Sequence, residues 1–565
     1  MLLEQAHSAD FWREAASKPA YKGLVDEVLY NYEQLCSAPI AALPYSDYML
    51  FYQNGSRKEY EQLYFDRRGR LSNSALAALL FPEEPKYLKE LQNVIWAICD
   101  EFAWAVPAHV SHVSELDACN IDLFCAETGF ALSEIYSLLG HRLDPLVAER
   151  LRDNVQRRII DVFRARTFGW ENAENNWAAV CSGSVGAAFM YMAPELFLEV
   201  KPRIHSAMEA FLRSYKADGV CREGLIYWYY GFGFFAAYAD LLRQFTGGAE
   251  DFFAREKVEV IASFQQKMFL QADVAVSFAD GFQDASFSIG LAHFLVRMYP
   301  LTVFPLPEKY RLDYRKGNGD HCHRWALSFR SFCWFDPTLA AECVKVDAFC
   351  YLEESAWVIA RKERYALAAK AGDNDEPHNH NDVGSFILAA DGRQVLCDLG
   401  APEYVHAYFD AAKRYDFLCA SSKGHSVPIA GGQYQKAGAQ FSGEILSADS
   451  KQICMELAPA YGLEELTSLT RTIDFEEAAV RLTDKYAFAE QGLPIIERFV
   501  TQIEPTFKNG RLFAGDVELV FDAAACTVSV TPEVYSRHDA VPVTAYLIDF
   551  ILQADAEQFS VTFLL

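Results

Sequence analysis

The chain has 565 residues, enough for about two to four domains that each bury a core, at roughly 100–200 residues per domain. Apolar residues make up 51% and charged residues 23%, which excludes a disordered or collagen-like chain, and 77 Asp plus Glu against 51 Lys plus Arg leave a net charge of −26. That balance argues against nucleic acid or an anionic membrane as partner, since both need a basic footprint, and an anionic substrate would need a site with its own local cations.

The opening Met1-Leu2-Leu3-Glu4 has neither a basic stretch nor an apolar segment. No secretory signal is read there, and a cytoplasmic location is expected; a secreted or periplasmic chain trimmed of its leader would look the same. The 14 cysteines are scattered without a CxxC, a pattern of free thiols in a reducing compartment. The 42 Phe, 29 Tyr and 9 Trp suit a large aromatic core, and less commonly sugar stacking.

Up to about residue 305 the pattern is helical. Apolar residues recur at three and four over 90–104, 145–168, 202–215 and 254–268, with turns at 216–219 and 246–248 between helices. The uncharged stretch 175–194 contains Gly183 and Gly186 and reads as a buried helix, not a membrane span. A second helix carries Gly231, Gly233, Ala236 and Ala237. Interior helical glycine costs about 1 kcal/mol relative to alanine, so close packing or a site should justify each one.

Residues 305–321 read as a linker, and short β-type runs follow. Residues 385–390, the dipeptide Asp391-Gly392 and residues 394–398 predict a hairpin, while 470–473 and 526–530 alternate as strands do. The expected architecture is a multidomain α+β chain. A helical domain spans 1–315, a β-sandwich 316–495, and a C-terminal β segment 496–565 that joins the sandwich or forms a small sheet of its own.

The sharpest chemical signal is His378-Asn379-His380-Asn381-Asp382, followed by Asp398 and by Lys423-Gly424-His425-Ser426. Imidazole and carboxylate are natural Zn²⁺ ligands, and in an extended segment residues two apart share a face, so His378 and His380 can serve one site. Hydrogen-bonded loop histidines are the plain alternative. In the helical half, Asn175-Asn176-Trp177 opens one small-residue helix, and Glu223-Gly224 leads into Tyr227-Trp228-Tyr229-Tyr230-Gly231. Such an aromatic run is ordinarily core, yet buried hydroxyls need partners.

Taken together, these motifs resemble the heparinase II/III-like polysaccharide lyases and the related oligoalginate lyases. The resemblance rests on residues 175–181, Glu223-Gly224 with 227–231, the run 378–382, Cys397-Asp398-Leu399-Gly400 with Tyr404, and Arg414-Tyr415 leading to His425, in the family's order over roughly residues 160–435. It implies an incomplete (α/α) toroid followed by an antiparallel β-sandwich. It also implies cleavage of uronate-containing glycans, glycosaminoglycan-like or alginate-like, by β-elimination to 4,5-unsaturated products. In the roles it carries over, Asn176 neutralises the substrate carboxylate, Tyr230 is the general acid and also a candidate base, and His378 is the partner base or second donor. A tyrosine base would need positive charge nearby, from His378 or Arg414.

Asn175, Trp177, Glu223, Tyr227, Trp228 and Arg414 are the expected substrate-binding residues, the aromatics by stacking and Arg414 by gripping a carboxylate or sulfate. Arg361-Lys362-Glu363-Arg364 is a further source of local charge. His380, Asp398 and His425 match the positions that hold a structural divalent metal, usually zinc, in some members. Some members place histidine where Asn176 stands, which leaves open the epimers accepted. The partners implied are an acidic oligo- or polysaccharide, neither nucleic acid nor membrane, with a homodimer left open. A metal-dependent glycan hydrolase and a non-catalytic carbohydrate-binding protein are the rival readings. The first wants alternating strands and helices or a pair of positioned carboxylates, and the second makes no unsaturated product.

Overall fold

The structure is a computed structural model that describes residues 2–110, 119–307, 310–311, 322–339, 346–489, 492–553 and 556–565. Most of the expected linker at 305–321 lies outside those residues. The chain divides into two compact units: Met1–Ser214, Trp228–Ala262 and Ser286–Val344 form one, and Tyr215–Tyr227, Ser263–Ala285 and Lys345–Leu565 the other. The second unit thus takes two segments from the helical half of the sequence.

The first unit is helical. Its two small-residue helices are Asn176–Met192 and Leu225–Phe245, the latter beginning just before the unit boundary. Their glycines are contact points. A Cβ on Gly186 would stand 2.5 Å from the Tyr238 ring, and one on Gly231 would stand 3.1 Å from Asn176 Cβ and 3.0 Å from Phe211. The cost of helical glycine is therefore offset by close helix approach, and Gly231 brings Asn176 against the turn that carries Tyr230.

Other helices differ from the sequence expectation at their breaks. The run from 145 is Pro145–Val155, a π-helical turn Gln156–Ile160 and Asp161–Ala165, and the run near 254 splits into Glu256–Ala262 and Phe264–Lys267. The helix expected to start at Pro202 starts at Pro194, where the missing N–H costs nothing, and Pro202 lies inside it. Buried charges are paired: Glu101 accepts from Arg67 and Arg68, and Glu134 from Arg330 and Trp325. Among the described residues no helix is long and apolar enough to cross a membrane, and the thirteen described cysteines are free thiols.

The second unit is built from antiparallel sheets of nine, four and five strands, with a short two-stranded ribbon. The expected hairpin is Phe386–Ala390 and Arg393–Leu396, turned by Asp391 at φ 52° and Gly392 at φ 73°, the two positive values that a tight I′ turn requires. The fold class is the expected one, a helical toroid followed by an antiparallel β-sandwich. Of the C-terminal segment, Gln558–Leu564 pairs with Ala479–Phe488 inside the nine-stranded sheet. Leu367 and Leu388 of the five-stranded sheet, Leu469 and Leu482 of the nine-stranded sheet, and Phe499 and Phe550 of the four-stranded sheet share one core.

Beneath that core lies a buried charge cluster. Arg471 pairs with Asp484 at 2.6 Å and Glu497 at 3.4 Å, and it donates to the carbonyls of Gly384 and Ser426. Burial and the Asp484 charge push the Glu497 carboxyl well above the usual carboxylate range, against the pull of Arg471. A carboxyl raised on folding contributes stability below its unfolded value, and that stability is lost as pH rises through the folded value. Glu497→Gln imitates the protonated form. Its stability relative to the parent should therefore climb from about pH 5 upward in urea denaturation at a series of pH values; a difference independent of pH would contradict this.

Candidate active site and metal centre

The sheet unit's reactive side chains are organised around Asp280, on a loop that sequence patterning did not single out. Its carboxylate is 1% exposed. Oδ2 accepts from His378 Nδ1 and from the Tyr404 hydroxyl at 2.7 Å; Oδ1 accepts from His380 Nε2 at 3.1 Å and from the Tyr408 hydroxyl at 2.5 Å. Four donors fill the acceptor capacity of one carboxylate. Burial alone would raise its pKa, but the charge and hydrogen bonds of His378 and His380 hold it well below the usual range.

His378 is clamped between acids. Its Nε2 lies 3.5 Å from Glu223, and its ring lies against Tyr227, centroids 4.4 Å apart and tilted by 35°. The Tyr227 hydroxyl meets that of Tyr404 at 2.6 Å. Burial pulls the His378 imidazole down, and Asp280 with Glu223 more than reverses this, leaving it above its ordinary value. His378 and His380 do not share one metal site. His378 has φ 55°, a left-handed backbone, so the extended geometry that would put both rings on one face is broken there.

A second cluster lies behind. Ligand atoms of His380, Asp382, Asp398 and His425, all buried, fall within 4.8 Å of one another, and this cluster can hold a metal ion. Hydrogen bonds fix the tautomers that metal binding needs. His380 donates from Nε2 to Asp280, and His425 donates from Nε2 to the Cys419 carbonyl at 2.7 Å. Both Nδ1 atoms therefore face the cluster, His425 Nδ1 3.4 Å from Asp398 Oδ2, and would offer lone pairs to a cation that displaces any proton there. Asp382 also pairs with buried Lys370 at 2.7 Å. This donor set fits a divalent cation. It includes the three residues named from the resemblance and adds Asp382.

In the helical unit the Tyr230 hydroxyl, buried, donates to Glu127 Oε1 at 2.5 Å. Arg324 lies over the Tyr230 ring at 4.0 Å, with Nε 3.5 Å from Glu127 Oε2. Burial and the Glu127 charge push the phenol well above its usual value, and Arg324 opposes them only in part. Among the described residues, Arg324 places positive charge beside Tyr230. Asn176 is buried beside Gly231 at the first turn of its helix.

The remaining expected residues divide by surroundings. Asn175 caps that helix by accepting from Trp177 N–H. Trp177 is half-buried, with its ring edge-on to His109 at 4.8 Å. Trp228 is a correction: it is fully buried, donates to the Ile261 carbonyl and stacks on Phe232, so it has no face for a sugar. Arg361 likewise supplies no site charge, because it donates to the carbonyls of Lys267, Phe269 and Asp347. Arg414 is half-buried, donates to the Asn379 carbonyl and the Tyr408 hydroxyl, and lies over the Tyr408 ring. Sequence reasoning missed Asp280, Tyr408, Asp382, Glu127 and Arg324. Of these only Asp382, inside the His-Asn-His-Asn-Asp run, carried a local signal.

Residues 347–494 match the family Heparinase II/III-like, C-terminal. No curated protein matches the chain in sequence. Solved structures share the fold at low identity. A crystal structure of heparinase III aligns at TM-score 0.61 and 13% identity, over 97% of this chain and 92% of that one. Heparan sulfate lyase HepC from Pedobacter heparinus aligns at 0.59 and 12%, over 100% and 93%. The Streptomyces coelicolor A3 chondroitin AC lyase, in complex with chondroitin sulphate, aligns at 0.56 and 11%, over 98% and 82%.

The loop that carries Asp280 is held by a glycine. Gly400 has φ 63°, and a Cβ there would stand 2.2 Å from the Gly281 carbonyl oxygen. Gly400→Ala should cost on the order of 3 kcal/mol, from left-handed strain plus overpacking against backbone, measured by chemical denaturation. An unchanged stability would mean the loop is not so constrained.

Proposed function

We propose that this chain, which over residues 347–494 matches the family Heparinase II/III-like, C-terminal, is a polysaccharide lyase. It cleaves uronate-containing glycans, glycosaminoglycan-like or alginate-like, by β-elimination to give 4,5-unsaturated uronates. The observation that carries this reading is the buried Tyr230 hydroxyl, which donates to Glu127 with Arg324 over its ring, on the helix whose Gly231 packs against Asn176.

Removing the C5 proton of a uronate is hard because the adjacent carboxylate is already anionic. A donor must neutralise that carboxylate, a base must take the proton and an acid must protonate the departing O4, all on one sugar. Asn176 suits the first task, because an amide donor gains strength as charge builds on the carboxylate. Tyr230 suits the last, its raised pKa keeping a proton to give. His378, flanked by Asp280 and Glu223, is supported as the second donor to the substrate acid group. Glu223, Tyr227 and Arg414 surround or brace it and are assigned to substrate binding through that position, with Trp177 and Asn175 on the Asn176 side.

The cluster of His380, Asp398 and His425, with Asp382, is assigned to a structural divalent ion. Two imidazole nitrogens with carboxylate oxygens favour zinc. When bound, the ion cross-links the segment after His378 to two others and so steadies that histidine.

The test is ultraviolet absorbance of the unsaturated product, screened on heparin, heparan sulfate, hyaluronan, chondroitin sulfates, alginate and glucuronan. A hydrolase or a binding protein would give none. Tyr230→Phe should lose about 10²–10⁴-fold in kcat while folding normally; substantial turnover in the folded variant would remove the assignment. Elemental analysis of protein purified without chelators should return about one zinc per chain, and His425→Ala should lose it and melt at lower temperature. Full metal content in that variant would place the ion elsewhere.

A further inference from the structure

Tyr230 rests with its proton donated to a carboxylate. That is an awkward state for a residue that must act on a substrate: the phenol is too weak an acid to be found ionised, and its hydrogen points at Glu127. The same geometry supplies a way out. Glu127 sits on helix Leu123–Leu139 with Oε1 2.5 Å from the Tyr230 oxygen, and Oε2 is 3.5 Å from Arg324. Arg324 therefore faces both the carboxylate and the ring.

We infer that Glu127 is the proton reservoir of Tyr230, making the phenol a relay that serves as base and acid in turn; this rests on the lyase reading above. As the C5–H bond breaks, its proton passes to the Tyr230 oxygen, and the phenolic proton passes to Glu127, which becomes a carboxylic acid. The C5–H electron pair forms the C4–C5 double bond and the C4–O4 bond breaks. The departing O4 takes a proton from Tyr230, and Glu127 returns its proton to the phenol oxygen. Every proton is accounted for: the one lost from C5 ends on the leaving hydroxyl, and both side chains regain their starting states. Free tyrosinate never forms, which removes the penalty of ionising a buried phenol. Arg324, with Nε 3.5 Å from Glu127 Oε2 and its guanidinium over the Tyr230 ring, tempers the charge that moves along the pair. Glu127 acts through Tyr230 and is a positioning and relay residue.

Glu127→Gln keeps the shape and still accepts the Tyr230 hydrogen bond, but it cannot take a proton. It should lower kcat by about 10²-fold or more with KM within about threefold. Glu127→Ala should fall as far and recover at least about tenfold on added formate, which restores a carboxylate. A structural role would show no such rescue. A folded Glu127→Gln within threefold of the parent, or a folded Glu127→Ala deaf to formate, overturns the relay. An activity-free arm separates this failure from that of the lyase reading. The ¹⁹F resonance of 3-fluorotyrosine at position 230 should titrate at lower pH in Glu127→Gln than in the parent, whatever the substrate. Unchanged titration would mean that Glu127 and the phenol are not coupled.

Discussion

A carboxylate taken out of water with no partner costs several kcal/mol, and the sheet unit meets that cost at Asp280 with four donors on one side chain. Those donors come from His378, His380, Tyr404 and Tyr408, so the Asp280 loop, the His-Asn-His run and the segment after Gly400 are positioned together. The same charge sets two tautomers. His378 Nδ1 and His380 Nε2 must both carry hydrogen, which leaves His378 Nε2 toward Glu223 and His380 Nδ1 toward the metal-type cluster. One buried charge thus decides what each histidine can do.

The buried polarity of the sandwich serves the same end. Arg471, in a strand, donates to the carbonyls of Gly384 and Ser426, each next to or near a residue of the cluster. Gln435 binds Val383 through both its N–H, at 3.0 Å, and its carbonyl, at 2.7 Å. Ligand-bearing loops that would otherwise leave main-chain groups unpaired in the core are pinned from beneath. An apolar core of the same volume would be easier to build but would leave Asp382 and His425 to wander.

How much of this the sequence discloses depends on how local the cause is. The Asp391-Gly392 turn, the alternating strands and the small-residue helices are set by neighbours in the chain, and they stand where the pattern puts them. Gly231 was flagged as a cost in search of a reason, and the reason is the side of Asn176. The convergence of His380, Asp398 and His425 came from the resemblance and its ordered motifs, since no spacing rule joins them. His378 and His380 meet on one carboxylate, Asp280, although His378 has a left-handed φ and not the extended backbone assumed for an HxH. Trp228 misled by composition alone; an aromatic beside a site is no less core than any other. Glu127 reaches Tyr230 from 103 residues away, with no motif around it, and Asp280 stands on an unpatterned loop. Such partners are visible only when the chain has folded.

The charge balance, −26 with an anionic substrate proposed, looks at first like a demand for arginines. Two of the arginines named for that purpose also make bonds within the protein. Arg361 ties three backbone carbonyls, and Arg414 braces Asn379 and Tyr408. Arg324 faces Glu127 and the Tyr230 ring. In a β-elimination this arrangement is an advantage. A fixed cation on the uronate carboxylate would stabilise the bound ground state nearly as well as the transition state, and so do little for the rate. A neutral amide donor binds the monoanion weakly and the more highly charged intermediate strongly, which puts the stabilisation where the barrier lies. Under the proposed reading, net acidity is no obstacle, because the donors are aimed at charge that has yet to form.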